Sequence, residues 1–208
     1  MNSLIKSVRK TCVRARRATA RLSADCSGLA AVEFALVVPI MLVMFFGTVE
    51  FSSAIALKRK VTTIARTISD LTSQGAIASN ADLATYFAVG AKITYPYSST
   101  PTNMTISELY VDPSSGVVRV QWSQGAAPRA IGSTVSIPTG LISRDPTTNA
   151  VLANQYLIYS EVNYQYTPAV GYVMRASVTL SDVAYTRPRQ TTCVFYPSQP
   201  TPSTCPTS

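Results

Sequence analysis

The sequence predicts an α+β protein, in which a long N-terminal transmembrane helix continues into a domain with a small antiparallel β-sheet. Three observations carry this expectation. Between Leu29 and Leu57 only Glu33 and Glu50 are charged, a run long and apolar enough for a membrane helix. Beyond it, Leu57, Val61, Ile64, Ile68 and Leu71 recur at spacings of 4, 3, 4 and 3, one stripe of a helix. Alternating, strand-like segments joined by Pro- and Gly-containing turns then fill the C-terminal half.

The leader comes first. The 208 residues carry 18 Lys and Arg against 10 Asp and Glu, a net charge of +8. The excess is local. Residues 1–28 hold Lys6, Arg9, Lys10, Arg14, Arg16, Arg17 and Arg21 against Asp25 alone, a net +6, which leaves +2 for the rest. A basic flank before an apolar run stays in the cytoplasm under the positive-inside rule. It outweighs Lys58, Arg59, Lys60 and Arg66 beyond the helix. The expected topology is single-pass, with the N-terminus in the cytoplasm and the C-terminal domain on the far side of the membrane. No RNP, helix-turn-helix or zinc-finger pattern accompanies the charge, so a nucleic-acid partner is not expected.

Residues 29–57 form the expected transmembrane helix, with membrane lipid as its first partner. At 1.5 Å per residue it is about 43 Å long. Pro39 should kink it, because proline cannot donate to the carbonyl of Ala35. Ala54-Ile55-Ala56 offers an alternative, a secretory-signal cleavage site, although the uncharged stretch from Phe34 to Val49 exceeds an ordinary signal core. A charge at mid-bilayer costs roughly 2.5–3.5 kcal/mol, so Glu33 needs a reason. Glu50 has two readings: the outer interface, or an intramembrane polar contact to a partner helix.

Residues 58–78 continue as an amphipathic helix whose stripe should pack on a sheet, with Gly75 as its stop. The β-rich domain spans 79–190. It opens with a short helix near 82–89. Strands 104–111 and 117–122 form a hairpin through 112–116, with Val118, Val120 and Trp122 expected on one face. Residues 123–150 are turn-rich and expected as loop. In 156–166, Tyr156, Ile158, Val162, Tyr164 and Tyr166 share a face. After a turn at 167–171, Tyr172, Met174, Ala176, Val178 and Leu180 alternate likewise. The tyrosines suit strand packing, with surface adhesion as the alternative.

The tail, 191–208, is rich in Pro, Ser and Thr and holds Cys193 and Cys205. In an oxidising compartment these should form a disulfide worth about 3 kcal/mol. Cys12 and Cys26, in the leader, should stay reduced. The chain has no histidine, which removes the commonest general base and metal ligand. No phosphate-binding glycine loop, nucleophile elbow or metal-ligand cluster is present. No catalytic residue, metal or cofactor is expected.

Gly28, then Leu-Ala-Ala-Val, then Glu33-Phe34 at the head of a membrane helix resembles the prepilin peptidase site of type IV-related pilins. Residues 28–39 are most similar to TadE/TadG-like minor pilins of tight-adherence (Flp-type) systems, whose basic leader is followed by G-x-A-A-V-E-F-A-L-V-x-P. Gly47-Thr48-Val49-Glu50-Phe51 resembles that family's second Glu-aromatic step, and "EVNYQYTP" (161–168) and "LSDVAYTRPR" (180–189) resemble its closing segments. The resemblance implies a pilin-like domain and a structural role in pilus assembly. It implies a prepilin peptidase that cuts between Gly28 and Leu29, and Glu33 and Phe34 as assembly residues. Other pilus subunits and inner-membrane assembly proteins are the implied partners. The alternative is a membrane-anchored periplasmic binding or adhesive domain that never enters a filament.

Overall fold

The computed structural model describes residues 27–168, 176–197 and 205. The leader with Cys12 and Cys26, and Tyr172 and Met174 of the last expected strand, lie outside the described residues. Two helices precede four strands: α1 (Ser27–Ser73), α2 (Asn80–Ile93), β1 (Thr102–Val111), β2 (Val118–Gly125), β3 (Gln155–Tyr166) and β4 (Val178–Thr186). The chain divides between Val49 and Glu50 into two compact units.

In the first unit α1 consists almost wholly of apolar residues and runs through Pro39. In the second unit its apolar stripe is core: Leu57, Val61, Ile64 and Ile68 are fully buried, while Leu71 is half-buried. The helix stops at Ser73 rather than at 78. Residues 76–78 leave it to pair with the tail, where the Ala78 amide donates to the Phe195 carbonyl and the Phe195 amide to Ala76. α2 is longer than the expected 82–89, because Ser79 and Asp82 form a capping box that starts it at Asn80. Gly90 lets α2 lie close to α1. A Cβ there would stand 2.6 Å from Met104 Sδ and 3.1 Å from Ile64 Cγ2.

The sheet is antiparallel, in the order β2-β1-β3-β4. The β1–β2 turn closes through Asp112, whose carboxylate accepts from the Ser114 amide and from the Ser114 and Ser115 hydroxyls. Those hydroxyls hold the Asp112 carboxyl down at about 2. One sheet face meets the helices. Ile106, Trp122, Ile158, Val162, Tyr164 and Tyr166 pack with the α1 stripe and Leu83. Hydroxyls stitch the same interface: Ser160 Oγ donates to Ala65 O at 2.6 Å and Ser69 Oγ to Ile158 O at 3.2 Å.

Val118, Val120 and Trp122 do not share a face. The β1–β2 register slips between Glu108 and Leu109, so Trp122 pairs with Glu108 while Val120 pairs with Leu109. The extra residue, Gln121, is a β-bulge that reverses the alternation. Trp122 therefore enters the helix-side core, and Val118 and Val120 join the opposite face. That face is covered by the turn-rich segment, whose Val135, Ile137, Leu141 and Ile142, together with Val151 just beyond it, pack on Leu109, Leu157 and Tyr159. The same segment borders β2, with the Val135 amide donating to Val118 O at 2.9 Å and the Val120 amide to Ser133 O at 3.0 Å. Arg129 holds it to β3 by a two-point ion pair with Glu161, 2.7 and 2.6 Å, and lies over the Tyr159 ring.

β2 ends at Gly125, whose φ is +135°. A Cβ there would collide with the Met104 carbonyl oxygen and lie 2.7 Å from Thr105 Cα, both backbone atoms that cannot step aside. Gly125→Ala should lower stability by more than about 2 kcal/mol through strain and displacement of β1. Urea unfolding of the purified chain checks this, and an unchanged midpoint would contradict the strain.

Candidate functional site

Among the described residues of the first unit, nothing covers the apolar helix. Phe34 is 70% exposed, and Val32, Leu36, Ile40, Met41 and Met44 are each more than half exposed. Side chains of this kind need lipid or other helices as their solvent. The stretch beginning at Gly28 is apolar and long enough to cross a membrane. Glu33 is exposed in the midst of this surface and forms no ion pair among the described residues. It stands one helical turn from Leu29, on the same face.

Gly28 lies in the first turn of α1. A Cβ at this position would meet nothing within 4 Å among the described residues. Glycine in a helix costs roughly 1 kcal/mol relative to alanine. The fold therefore gains nothing from glycine here.

Glu50 begins the second unit and is only 2% exposed. Its backbone carbonyl accepts from the Tyr166 hydroxyl at 3.3 Å, and the Tyr97 hydroxyl reaches Ser53 O at 3.4 Å. Burial first, and the Glu50 charge second, raise Tyr166 above the ordinary tyrosine range. The burial of Glu50 is thus provided by its own domain. The tyrosines of β3 serve as packing: Tyr156, Tyr159, Tyr164 and Tyr166 are all buried.

Ala54-Ile55-Ala56 lies inside continuous helix, with Ala54 packed on the core and Leu57 fully buried. Cys193 and Cys205 are joined in a disulfide, Cα atoms 5.7 Å apart, and Cys193 is fully buried beside Tyr110 and Tyr156. A groove of about 650 Å³ runs between α1 and β4, lined by Arg66, Asp70, Leu71, Leu141 and Tyr185 among others. Asp70 in its wall is paired with Arg189.

One polar centre was not singled out from the sequence. Glu108 on β1 is fully buried. Its Oε2 accepts from Trp122 Nε1 at 3.0 Å and its Oε1 from the Val194 amide at 2.5 Å. Burial raises its carboxyl to about 8, against the opposing pull of those two donors. A signal was present: Ile106, Glu108 and Tyr110 alternate onto one face of an apolar strand, which places a carboxylate inward. Among the described residues, no group of three or more His, Cys, Asp and Glu side chains converges as a metal site would require.

Residues 28–69 match the family model described as TadE-like protein, which covers the apolar helix, Glu33, Glu50 and most of the buried stripe. No curated protein and no solved structure matches the chain.

Proposed function

We propose that this chain, which carries a TadE-like segment over residues 28–69, is a minor pilin or pseudopilin that takes part in assembling a tight-adherence pilus. The family belongs to such pilus systems and is structural rather than enzymatic, which supports a pilus-associated role. The observation that carries the finer reading is the uncovered apolar helix, with one carboxylate a single turn from Leu29 and a glycine at 28 that the fold does not require.

In this reading the leader stays in the cytoplasm and the second unit faces the periplasm. A prepilin peptidase cuts between Gly28 and Leu29, which removes a net +6 of leader charge and creates an ammonium on Leu29. Glu33 then meets the new ammonium of a neighbouring subunit. An unpaired charge is costly in lipid, so the pair selects one register of helix against helix. Phe34 and the exposed apolar residues beside it supply the packing that surrounds that pair.

The mass of the mature chain from cells with and without the peptidase tests this. A chain beginning at Leu29 only when the peptidase is present is the expected result. A start at Leu57 in both strains would indicate an ordinary secretory signal, which would have to break α1 where Leu57 is buried. A start at Met1 in both would leave an anchored domain that does not follow the pilin route.

A further inference from the structure

Beneath the C-terminal tail lies a buried carboxyl group that the assembly reading does not use. Residues 193–196 cross the end of the helix-side core. Val194 and Tyr196 are buried there with Ala78, Leu83 and Trp122. Tyr196 stacks on Trp122 at 5.5 Å between ring centroids, and its hydroxyl donates to Asn80 Oδ1 at 2.5 Å. Phe195 bridges to Ile77 in parallel. The Cys193–Cys205 disulfide closes the segment at its start. Glu108 sits under this strap with one oxygen on the strap's own Val194 amide and the other on Trp122, which also donates to Val194 O at 2.8 Å.

We propose that Glu108 makes residues 193–196 a proton-linked latch, seated while the buried carboxyl group is protonated and loosened when it ionises, so that release uncovers an apolar slot formed by Ala78, Leu83 and Trp122. No cation offsets the charge: among the described residues no Lys or Arg forms an ion pair with Glu108. The titratable groups around it are Tyr110 beside it on β1, Tyr156 on β3, whose ionisation its charge also opposes, and Tyr196 above Trp122; Cys193 is held in the disulfide. None of these groups can carry a positive charge, so none stabilises the carboxylate by charge. With the strap away, water reaches the group and its ordinary range returns. The seated state therefore binds the proton more tightly, with a carboxyl value of about 8 against the ordinary 4.5. Seating is strongest below the ordinary value and weakens as pH rises toward 8.

Hydrogen exchange on the full chain in detergent tests the latch. After correction for intrinsic rates, protection of the 193–196 amides should be lower than in β3. It should fall about tenfold per pH unit between 5 and 8, as for one proton, and level off above. Glu108→Gln keeps an acceptor for the Val194 amide without a titrating charge, so its protection should be flat across that range. Should that variant not fold, Trp122, the chain's only tryptophan, reports on the wild type. Its emission should become more accessible to quencher as pH rises from 6 toward 8, and Tyr196→Ala should show that accessibility already at pH 6. Strap protection equal to that of β3 at every pH, or without pH dependence, would overturn the latch, as would Trp122 quenching that does not change from pH 6 to 9.

Discussion

Ile64→Asp should leave the chain inserted in the membrane but unfold the C-terminal domain. Ile64 is fully buried in the α1 stripe, against the helix-facing side of the sheet and within 4 Å of where a Cβ on Gly90 would stand. Replacing it removes an aliphatic side chain, at a cost of about 2–5 kcal/mol for truncation alone. It also buries a carboxylate without a partner, which adds several kcal/mol. Domains of this size hold only about 5–15 kcal/mol in total. Digestion of membranes opened to added protease should therefore destroy residues beyond 73 in the variant and spare them in the parent. Arg66→Ala, an exposed position on the same helix, should stay within about 0.5 kcal/mol of the parent. Survival of the Ile64→Asp domain with loss only of partner contacts would make the stripe an interface instead of a core.

Under the proposed pairing, Glu33→Ala should have the opposite profile. Insertion should be unaffected or easier, because a charge leaves the apolar run. The domain should melt as in the parent, since Glu33 lies in the first unit. Recovery with other pilus subunits should collapse. Removing one member of a desolvated ion pair costs about 3–5 kcal/mol, which at 1.4 kcal/mol per factor of ten is more than a hundredfold in association. Glu33→Gln, which retains an acceptor without the charge, should fall between the two. Co-purification from detergent-solubilised membranes provides the measurement. Recovery of Glu33→Ala at the parent level would remove Glu33 from assembly and leave its place in the apolar helix without a partner.

Features that depend on neighbours along the chain were legible in the linear pattern. The apolar run of α1, the stripe from Leu57, the first hairpin, the course of β3 and the Gly28–Pro39 motif could all be read from spacing and composition, whereas the last strand, expected to alternate from Tyr172 to Leu180, runs from Val178 to Thr186 with Ala176 in a bend before it. These features rest on local periodicity, which a linear pattern records directly. The capping box at Ser79 and Asp82 was equally local and marks the true start of α2. The tertiary structure alone decided three things. The bulge at Gln121 turned Trp122 to the helix side, because β2 must match β1 through Glu108 and not merely alternate. The turn-rich segment became a layer, because a sheet with one face on helices leaves Leu109, Leu157 and Tyr159 uncovered unless other apolar residues come over them. The tail, which has little to bury alone, entered the core at Val194 and Tyr196, where Trp122 and Glu108 waited more than seventy residues upstream. Pairings across such distances follow from which surfaces remain exposed once the local elements dock, and no local pattern encodes that.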